Sequence, residues 1–123
     1  MPARSNPALL FAYGTLMRGY GLHRLLAAEA TFLGEGRTRG RLLDLRGYPG
    51  LVDGDGWVRG ELYRLRDREL LQALDREEGY NFERRRAGVT MLDGRRSRAW
   101  IYRYRGPQQR AVAIPDGDYR RAH

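Results

Sequence analysis

The chain contains no cysteine. It therefore cannot form a disulfide bond, supply a thiolate nucleophile or hold zinc through thiolate ligands. Lysine is absent as well, because all 23 residues counted as lysine or arginine are arginine. This second absence excludes a Schiff-base lysine and the lysine of a nucleotide-binding P-loop.

Histidine and serine are also scarce. The histidines are His23 and His123, and two histidines without cysteines do not supply the ligands of a catalytic zinc site. The serines are Ser5 and Ser97, and neither lies in the Gly-x-Ser-x-Gly motif of a serine hydrolase. We therefore expect no metal and no cofactor. If the protein is an enzyme, carboxylates and backbone N–H groups must carry its chemistry.

Long apolar runs are missing too. The N-terminal segment leads into only five apolar residues, 8–12, before Tyr13. That is shorter than the roughly 7–15 residues of a signal-peptide core and far shorter than a membrane span. We therefore expect a cytoplasmic protein without a membrane association. The length of 123 residues and the hydrophobic content of 41% are typical of one globular domain, predicted to span residues 1–123.

The net charge of +8 allows two interpretations. It can indicate binding of nucleic acid or of acidic ligands. It can also reflect the use of arginine in place of lysine over an ordinary solvated surface. The arginine runs are short, at 84–86, 95–96 and 120–121, and no aromatic residues alternate with them to form a stacking platform. We favour the second interpretation and do not expect nucleic acid as a partner despite the charge.

The pattern of apolar residues and glycines predicts short strands and two helices. A short helix is expected over 22–28, and a longer one begins at Asp67 and ends at Gly79. Residues 31–45 form either two strands or one long bulged strand. The remaining strands are expected at 9–13, 57–65, 83–91 and 99–102, with turns at 47–50, 53–56 and 93–94 and an extended tail after 106. This order indicates an α+β domain with a mostly antiparallel sheet, open or closed.

The first predicted strand ends at Gly14, and this break is a candidate binding element. A glycine there lets the backbone turn and expose consecutive N–H groups, which favour a carboxylate or phosphate. The alternative is a simple turn between a strand and a helix. Gly14 by itself favours that alternative, because isolated glycines are common after strands.

The long predicted helix carries an acidic residue on its apolar side. At about 100° per residue, Leu70, Leu71 and Leu74 define an apolar arc, and Glu78 lies roughly 30° from the centre of that arc. Burial, the helix dipole and neighbouring carboxylates would all raise the pKa of Glu78, which suits a group that accepts and returns a proton near neutral pH. Alternatively the helix end frays and Glu78 turns into solvent. Geometry alone favours neither alternative.

Five segments together resemble a known family. Residues 74–80 resemble the Leu-Asp-x-x-Glu-Gly-Tyr segment of the γ-glutamylcyclotransferase-like family, and residues 11–16 its Tyr-Gly-(Ser/Thr)-Leu signature. Residues 47–50 resemble its Tyr-Pro-Gly turn, residues 58–63 its Val-x-Gly-Glu-Leu-Tyr strand, and residues 117–119 a terminal Gly-Asp-Trp with tyrosine in place of tryptophan. The small bacterial branch and the plant AIG2-like proteins are nearest in size.

The resemblance implies a fold, an activity and a site. The fold is an α+β domain built on a small mixed, mostly antiparallel β-barrel with flanking helices. Glu78 matches the glutamate that acts as acid and base, and the loop after the first strand matches the one that holds the α-amino-acid end of the substrate. The implied substrate-binding residues are Tyr13, Gly14, Thr15, Leu16, Tyr48, Pro49 and Arg86.

One segment departs from the family pattern Tyr-x-Arg-x-x-Val. Counted back from Val89, Arg86 matches the arginine, but Arg84 occupies the position of the tyrosine. Shifting the register by two residues places Phe82 and Arg84 there instead. In either register one wall of the substrate site differs from that of the family.

The implied activity is cyclisation of a γ-glutamyl amine or γ-glutamyl-amino acid to 5-oxoproline with release of a free amine, without metal or cofactor. A non-catalytic binding or regulatory module with the same site is the alternative, and a basic nucleic-acid-associated protein is a third possibility. The short chain leaves no segment for a lid, which favours small γ-glutamyl substrates over glutathione. Arg84 and Arg86 argue the other way, because they could attract an anionic leaving group. The oligomeric state stays open.

Overall fold

The computed structural model of the protein describes residues 8–123; Ser5 and the other residues before Ala8 lie outside this range. Six strands are present in this part of the chain: β1 Ala8–Ala12, β2 Ala30–Asp44, β3 Pro49–Leu65, β4 Phe82–Met91, β5 Arg96–Tyr104 and β6 Val112–Ile114. A 3-10 turn, Gly21–His23, leads into helix α1, Arg24–Ala27. The other described helices are α2, Leu70–Glu78, and α3, Tyr119–Ala122.

Five of these strands close into a mixed barrel. Antiparallel pairs join β1 to β3, β3 to β2, β2 to β4 and β4 to β5. A parallel contact between β5 and β1, with Leu10 opposite Trp100, closes the ring. Strand β6 adds to β2 beyond the barrel. The expected mixed, mostly antiparallel barrel with flanking helices is therefore confirmed.

The barrel interior is filled by apolar side chains from every strand of the ring, as alternation along each strand requires. Leu10, Leu62 and Ile101 are among the most deeply buried, and Val89 adds to them from β4. Helix α2 packs its buried leucines, Leu71 and Leu74, into the same core. This packing fixes the last turn of α2 beside the end of β1, which is where the site lies.

The glycine-rich segment 53–56 is not the hairpin turn that the sequence predicts. It lies within β3, which continues from Pro49 to Leu65. Arg41 is opposite Val52 and Arg39 is opposite Trp57, so the four residues of this segment bulge out opposite Gly40. The chain reverses earlier, between β2 and β3, where the Leu45 N–H donates to the Tyr48 carbonyl at 2.9 Å.

Other boundaries differ less. Residues 30–44 form one long strand with register shifts after Phe32 and Arg39, which confirms the bulged alternative. Helix α2 begins at Leu70 and not at Asp67. Asp67 begins a tight turn before the helix, in which its carboxylate accepts the Glu69 N–H at 2.9 Å and its carbonyl accepts the Leu70 N–H at 3.1 Å. Gly79 ends the helix as expected, with φ at 81°. The tail is not simply extended, since it contains β6 and α3.

Within residues 8–123, no helix combines the length and the apolar character needed to cross a membrane.

Candidate active site

A cavity of about 710 Å³ opens beside the end of β1. Three parts of the chain surround it: the loop that follows β1, the turn between β2 and β3, and the C-terminal end of α2 with the residues after it. Most of the predicted site residues line it: Tyr13, Gly14, Thr15, Leu16, Tyr48, Pro49 and Glu78. Segments distant in the sequence thus meet at one place.

The loop after β1, residues 13–18, forms one wall and is here called the β1 loop. It is folded tightly, since the Met17 N–H donates to the Gly14 carbonyl at 2.9 Å and the Leu22 N–H donates to the Thr15 carbonyl at 3.0 Å. Among the described residues, the N–H groups of Gly14, Thr15 and Leu16 donate to no protein acceptor. These three residues line the cavity, so their N–H groups are suited to an anionic group of a ligand.

Gly14 is required for a reason that the sequence does not reveal. Its φ is not in the left-handed region that favours glycine. Instead, Pro49 packs directly against its Cα, and a Cβ on Gly14 would lie 2.3 Å from the Pro49 Cγ. The glycine therefore permits close approach between the β1 loop and the turn that begins β3.

Tyr13 holds the floor of the cavity in place. Its hydroxyl donates to the Tyr102 carbonyl at 2.6 Å and accepts the Leu51 N–H at 3.1 Å. Burial, with a smaller contribution from the negative charge of Glu78, raises the pKa of Tyr13 well above its ordinary value. Tyr13 therefore stays neutral, and its side chain is held in place because its hydroxyl both donates and accepts a hydrogen bond.

Glu78 is the last residue of α2 and lies half-buried at the cavity. Burial raises its pKa from 4.5 to about 7, and the carboxylate of Glu77 adds to the increase. The predicted direction of the shift is confirmed. The carboxylate of Asp75, another acidic neighbour on α2, is not among the causes of this increase; it accepts bonds from Arg84 and Tyr102. Near neutral pH, Glu78 can exist in both protonation states, as an acid–base catalyst requires.

The helical periodicity that places Glu78 near the apolar arc places Glu77 further round and predicts that it points away from the cavity, and the structure corrects this. It is exposed and lies at the edge of the cavity, where its charge acts on Glu78. The helix end is less regular than an ideal helical wheel, since Gly79 leaves the helical conformation immediately afterwards.

Aromatic side chains form the outer part of the cavity. Tyr48 and Phe82 lie with ring centroids 6.0 Å apart. Tyr80, which is 94% exposed, also contributes to the lining. In the described part of the chain, the charged groups of the lining are few, namely Arg24, Glu77 and Glu78. The mouth therefore offers flat apolar surfaces to whatever part of a ligand projects from the interior.

Arg86 does not lie at the cavity. In the β4–β5 register it is opposite Trp100, and its guanidinium lies 5.2 Å from the centroid of that ring on the outside of the barrel. Arg84 is also directed elsewhere: its Nε donates to the Asp75 Oδ1 at 2.9 Å, and its guanidinium lies 4.5 Å from the Trp100 centroid. The expectation that these arginines approach the substrate is thus not supported by their positions.

Sequence reasoning missed Tyr102, which connects the cavity to α2. Its carbonyl accepts the Tyr13 hydroxyl, and its own hydroxyl donates to the Asp75 Oδ1 at 2.7 Å. The partners are 89 and 27 residues away in sequence, so no local spacing could indicate them. Within residues 8–123, no group of three or more His, Cys, Asp or Glu side chains is placed to hold a metal ion.

The family model of AIG2-like gamma-glutamyl cyclotransferases matches residues 10–121. The chain belongs to this family. The match covers the barrel except for the first two residues of β1, and it includes the β1 loop and Glu78, so the described site lies within the family domain.

Individual relatives agree with this membership. A Vibrio cholerae protein provisionally named gamma-glutamylcyclotransferase is 38% identical over 113 residues, which cover 90% of this chain and 94% of the relative. A crystal structure of an uncharacterised Pyrococcus horikoshii protein has a TM-score of 0.74 at 28% identity, covering 94% of this chain and 92% of that one. A mouse AIG2-like protein has a TM-score of 0.67 at 29% identity, covering 79% and 76%.

Proposed function

We propose that this family member is an enzyme that cyclises γ-glutamyl amides to 5-oxoproline and a free amine. The observation that carries the proposal is the position of Glu78, whose pKa is about 7, at a cavity walled by the β1 loop. One carboxyl group can then serve both proton transfers, and the opposite wall can hold the substrate's carboxylate.

The β1 loop binds the α-carboxylate of the γ-glutamyl group through the N–H groups of Gly14, Thr15 and Leu16. Two hydrogen bonds hold Tyr13 rigid, which keeps this wall fixed during binding. A bound α-carboxylate fixes the adjacent α-amino group, and the γ-carbonyl then lies within reach of that amine in the same molecule.

Glu78 in its carboxylate form takes a proton from the α-ammonium group. The freed nitrogen attacks the γ-carbonyl carbon and forms the five-membered ring. Glu78, now protonated, gives the proton to the departing nitrogen as the original amide C–N bond breaks. The ring nitrogen still carries one extra proton, which passes to the released amine, so 5-oxoproline and an ammonium ion leave and Glu78 is again a carboxylate.

The reaction needs little beyond the β1 loop and Glu78. Attack within one molecule carries a large effective-molarity advantage, provided that the substrate is held in the reactive geometry. General acid–base catalysis by a positioned side chain contributes about 10²–10⁴-fold. A pKa near 7 suits this function, because a carboxyl at its ordinary pKa would be a poor proton donor to the departing nitrogen.

The test is to incubate the purified protein with a panel of γ-glutamyl amines and γ-glutamyl-amino acids and to measure 5-oxoproline by mass spectrometry. Formation of 5-oxoproline with an equal amount of free amine supports the proposal. Binding of these compounds without turnover would contradict it and favour the non-catalytic module. An absence of both binding and turnover across the panel would contradict the proposal as well.

A further inference from the structure

A carboxylate that is buried more deeply than that of Glu78 lies outside the cavity. Glu61, in β3, is only 1% exposed and is opposite Ala12, the last residue of β1. The chain leaves the barrel at Ala12, forms the β1 loop and returns at Arg18. Glu61 is therefore placed where the two ends of the loop come together.

Glu61 binds the returning end of the loop directly. The Arg18 N–H donates to its Oε1 at 2.9 Å, and the Arg18 Nε donates to its Oε2 at 3.0 Å. Arg120, from α3, donates to the same Oε2 at 3.0 Å and also to the Arg18 carbonyl. Both backbone polar groups of Arg18 are thus fixed, one by Glu61 and the other by a partner of Glu61.

A second route connects Glu61 to the middle of the loop. The Tyr63 hydroxyl donates to the Glu61 Oε1 at 2.8 Å. The Tyr63 ring lies 5.8 Å from the His23 ring, and the His23 Nδ1 lies 2.9 Å from the Leu16 carbonyl. The carboxylate consequently contacts the end of the loop and supports the residues that contact its centre.

We propose that Glu61 is a positioning residue that fixes the N–H groups of the β1 loop in the geometry that binds the substrate's carboxylate. The proposal rests on the proposed function of the cavity. Two arginines, a tyrosine and a backbone N–H satisfy the buried charge, which would otherwise be costly. Because Glu61 does not line the cavity, it acts through the loop and makes no contact with the substrate.

The test compares Glu61→Gln with the wild type in hydrogen exchange and in kinetics. The substitution places an NH₂ group against the groups of Arg18, Arg120 and Tyr63 that donate to Glu61. The hydrogen bonds that hold the β1 loop should therefore weaken. We expect faster exchange at the hydrogen-bonded amides of the β1 loop, those of Met17 and Arg18, with little change in β4 and β5. We also expect KM for the best γ-glutamyl substrate to rise about tenfold, with a smaller change in kcat, because the loop binds ground state and transition state alike.

Two further variants separate positioning from stability. Val89→Ala removes core volume from β4, so it should lower the melting temperature without changing KM or loop exchange. Arg120→Met removes one exposed partner and should give a smaller effect of the same kind as Glu61→Gln, which keeps the test available if the latter fails to fold.

Loop exchange unchanged in both Glu61→Gln and Arg120→Met would overturn the positioning proposal, whether or not the protein is active. A rise in KM for Val89→Ala equal to that for Glu61→Gln would also overturn the positioning proposal. A wild-type protein that turns over no γ-glutamyl compound would overturn the proposed function. In that case the exchange data alone still decide whether Glu61 positions the loop.

Discussion

At the scale of single residues, Glu78 carries the strongest functional claim, and replacing it tests that claim directly. Glu78→Gln keeps the side-chain shape but removes proton transfer, so turnover should fall about 10²–10⁴-fold while 5-oxoproline still binds. Steady-state kinetics and calorimetric titration measure the two effects. Glu69→Gln, at the exposed opposite end of α2, is the matched control and should be nearly wild-type. Turnover within a few-fold of wild-type in Glu78→Gln would disprove the acid–base assignment.

The raised pKa of Glu78 predicts how stability changes with pH. In the folded state the pKa is about 7, above the ordinary value of 4.5, so the folded protein binds this proton more tightly than the unfolded chain. Glu78 therefore destabilises the fold progressively as pH rises from about 4.5 to 7. Glu78→Gln should be more stable than wild type at pH 8 and about equal to it at pH 4, as measured by chemical denaturation. A gain that is the same at both pH values would contradict the shift.

Glu77 tests the second cause of the raised pKa. Its charge helps to raise the pKa of Glu78, so Glu77→Gln should lower that pKa. Since Glu78 must be deprotonated to act as a base in the free enzyme, kcat/KM increases as pH passes through the pKa of Glu78. The acidic limb of the pH profile should therefore move to lower pH in Glu77→Gln and stay in place in Glu69→Gln. An unmoved limb would show that Glu77 does not act on Glu78.

Gly14 tests the fit between the β1 loop and Pro49. Gly14→Ala places a Cβ 2.3 Å from the Pro49 Cγ, so the loop must shift away from the turn. We expect weaker binding of 5-oxoproline, measured by calorimetric titration. Gly88→Ala is the control, because nothing lies within 4 Å of its added Cβ and its φ is not positive. Equal affinities in the two variants would favour the interpretation of Gly14 as a plain turn.

At the scale of elements, the orientation of α2 depends on contacts that local sequence does not encode. The apolar arc and the Gly79 stop could be predicted, because helical periodicity and capping are local properties. Helical geometry alone left the direction of Glu78 open, and the resemblance to the family favoured the inward direction. The docking of α2 could not, since Asp75 contacts side chains from β4 and β5. The position of Arg86 could not be predicted for the same reason, because its outward direction follows from strand pairing, which places it opposite Trp100.

Helix α2 supplies an element-scale prediction. The Asp75 carboxylate accepts the Arg84 Nε and Nη2 at 2.9 and 3.2 Å and the Tyr102 hydroxyl at 2.7 Å. Asp75→Asn weakens these bonds, and because the pair is partly exposed we expect a loss of about 1 kcal/mol in the free energy of unfolding. Denaturant titration measures this. Asp53→Asn is the control, because Asp53 is exposed and its ion-pair partner is Arg103 of β5, not a residue of α2. No loss in Asp75→Asn would show that the network does not hold the helix.

At the scale of the whole molecule, the barrel was predictable and the arrangement of its surface charge was not. The resemblance to the family implied the barrel, whereas pairing between strands decides which arginines meet aromatic rings. Both tryptophans have two guanidiniums over their rings, at 4.0–4.3 Å for Trp57 and 4.5–5.2 Å for Trp100. The rings are thus contacted by arginines of the same chain, and this occupies surfaces on which bases would stack. The expectation that nucleic acid is not a partner stays a prediction.

The distribution of charge around the cavity also bears on the choice of substrate. The sequence left open whether Arg84 and Arg86 would attract an anionic leaving group such as the cysteinylglycine part of glutathione. The structure places both outside the cavity lining, where Arg84 is paired with Asp75 and both lie over Trp100. Among residues 8–123, Arg24 is then the one cation in the lining, and Glu77 at the edge opposes it.

We therefore expect small γ-glutamyl amines and γ-glutamyl-amino acids to be turned over with higher kcat/KM than glutathione. The mouth offers the rings of Tyr48, Tyr80 and Phe82 to the amine half of the substrate. A carboxylate in that half finds few cationic partners in the lining for a charge-assisted hydrogen bond. Competition between substrates, followed by mass spectrometry of 5-oxoproline and the released amine, measures the ratio. Arg86→Gln should leave that ratio unchanged, because its guanidinium lies outside the barrel. A higher kcat/KM for glutathione than for every small γ-glutamyl amide would show that the aromatic mouth does not set the preference.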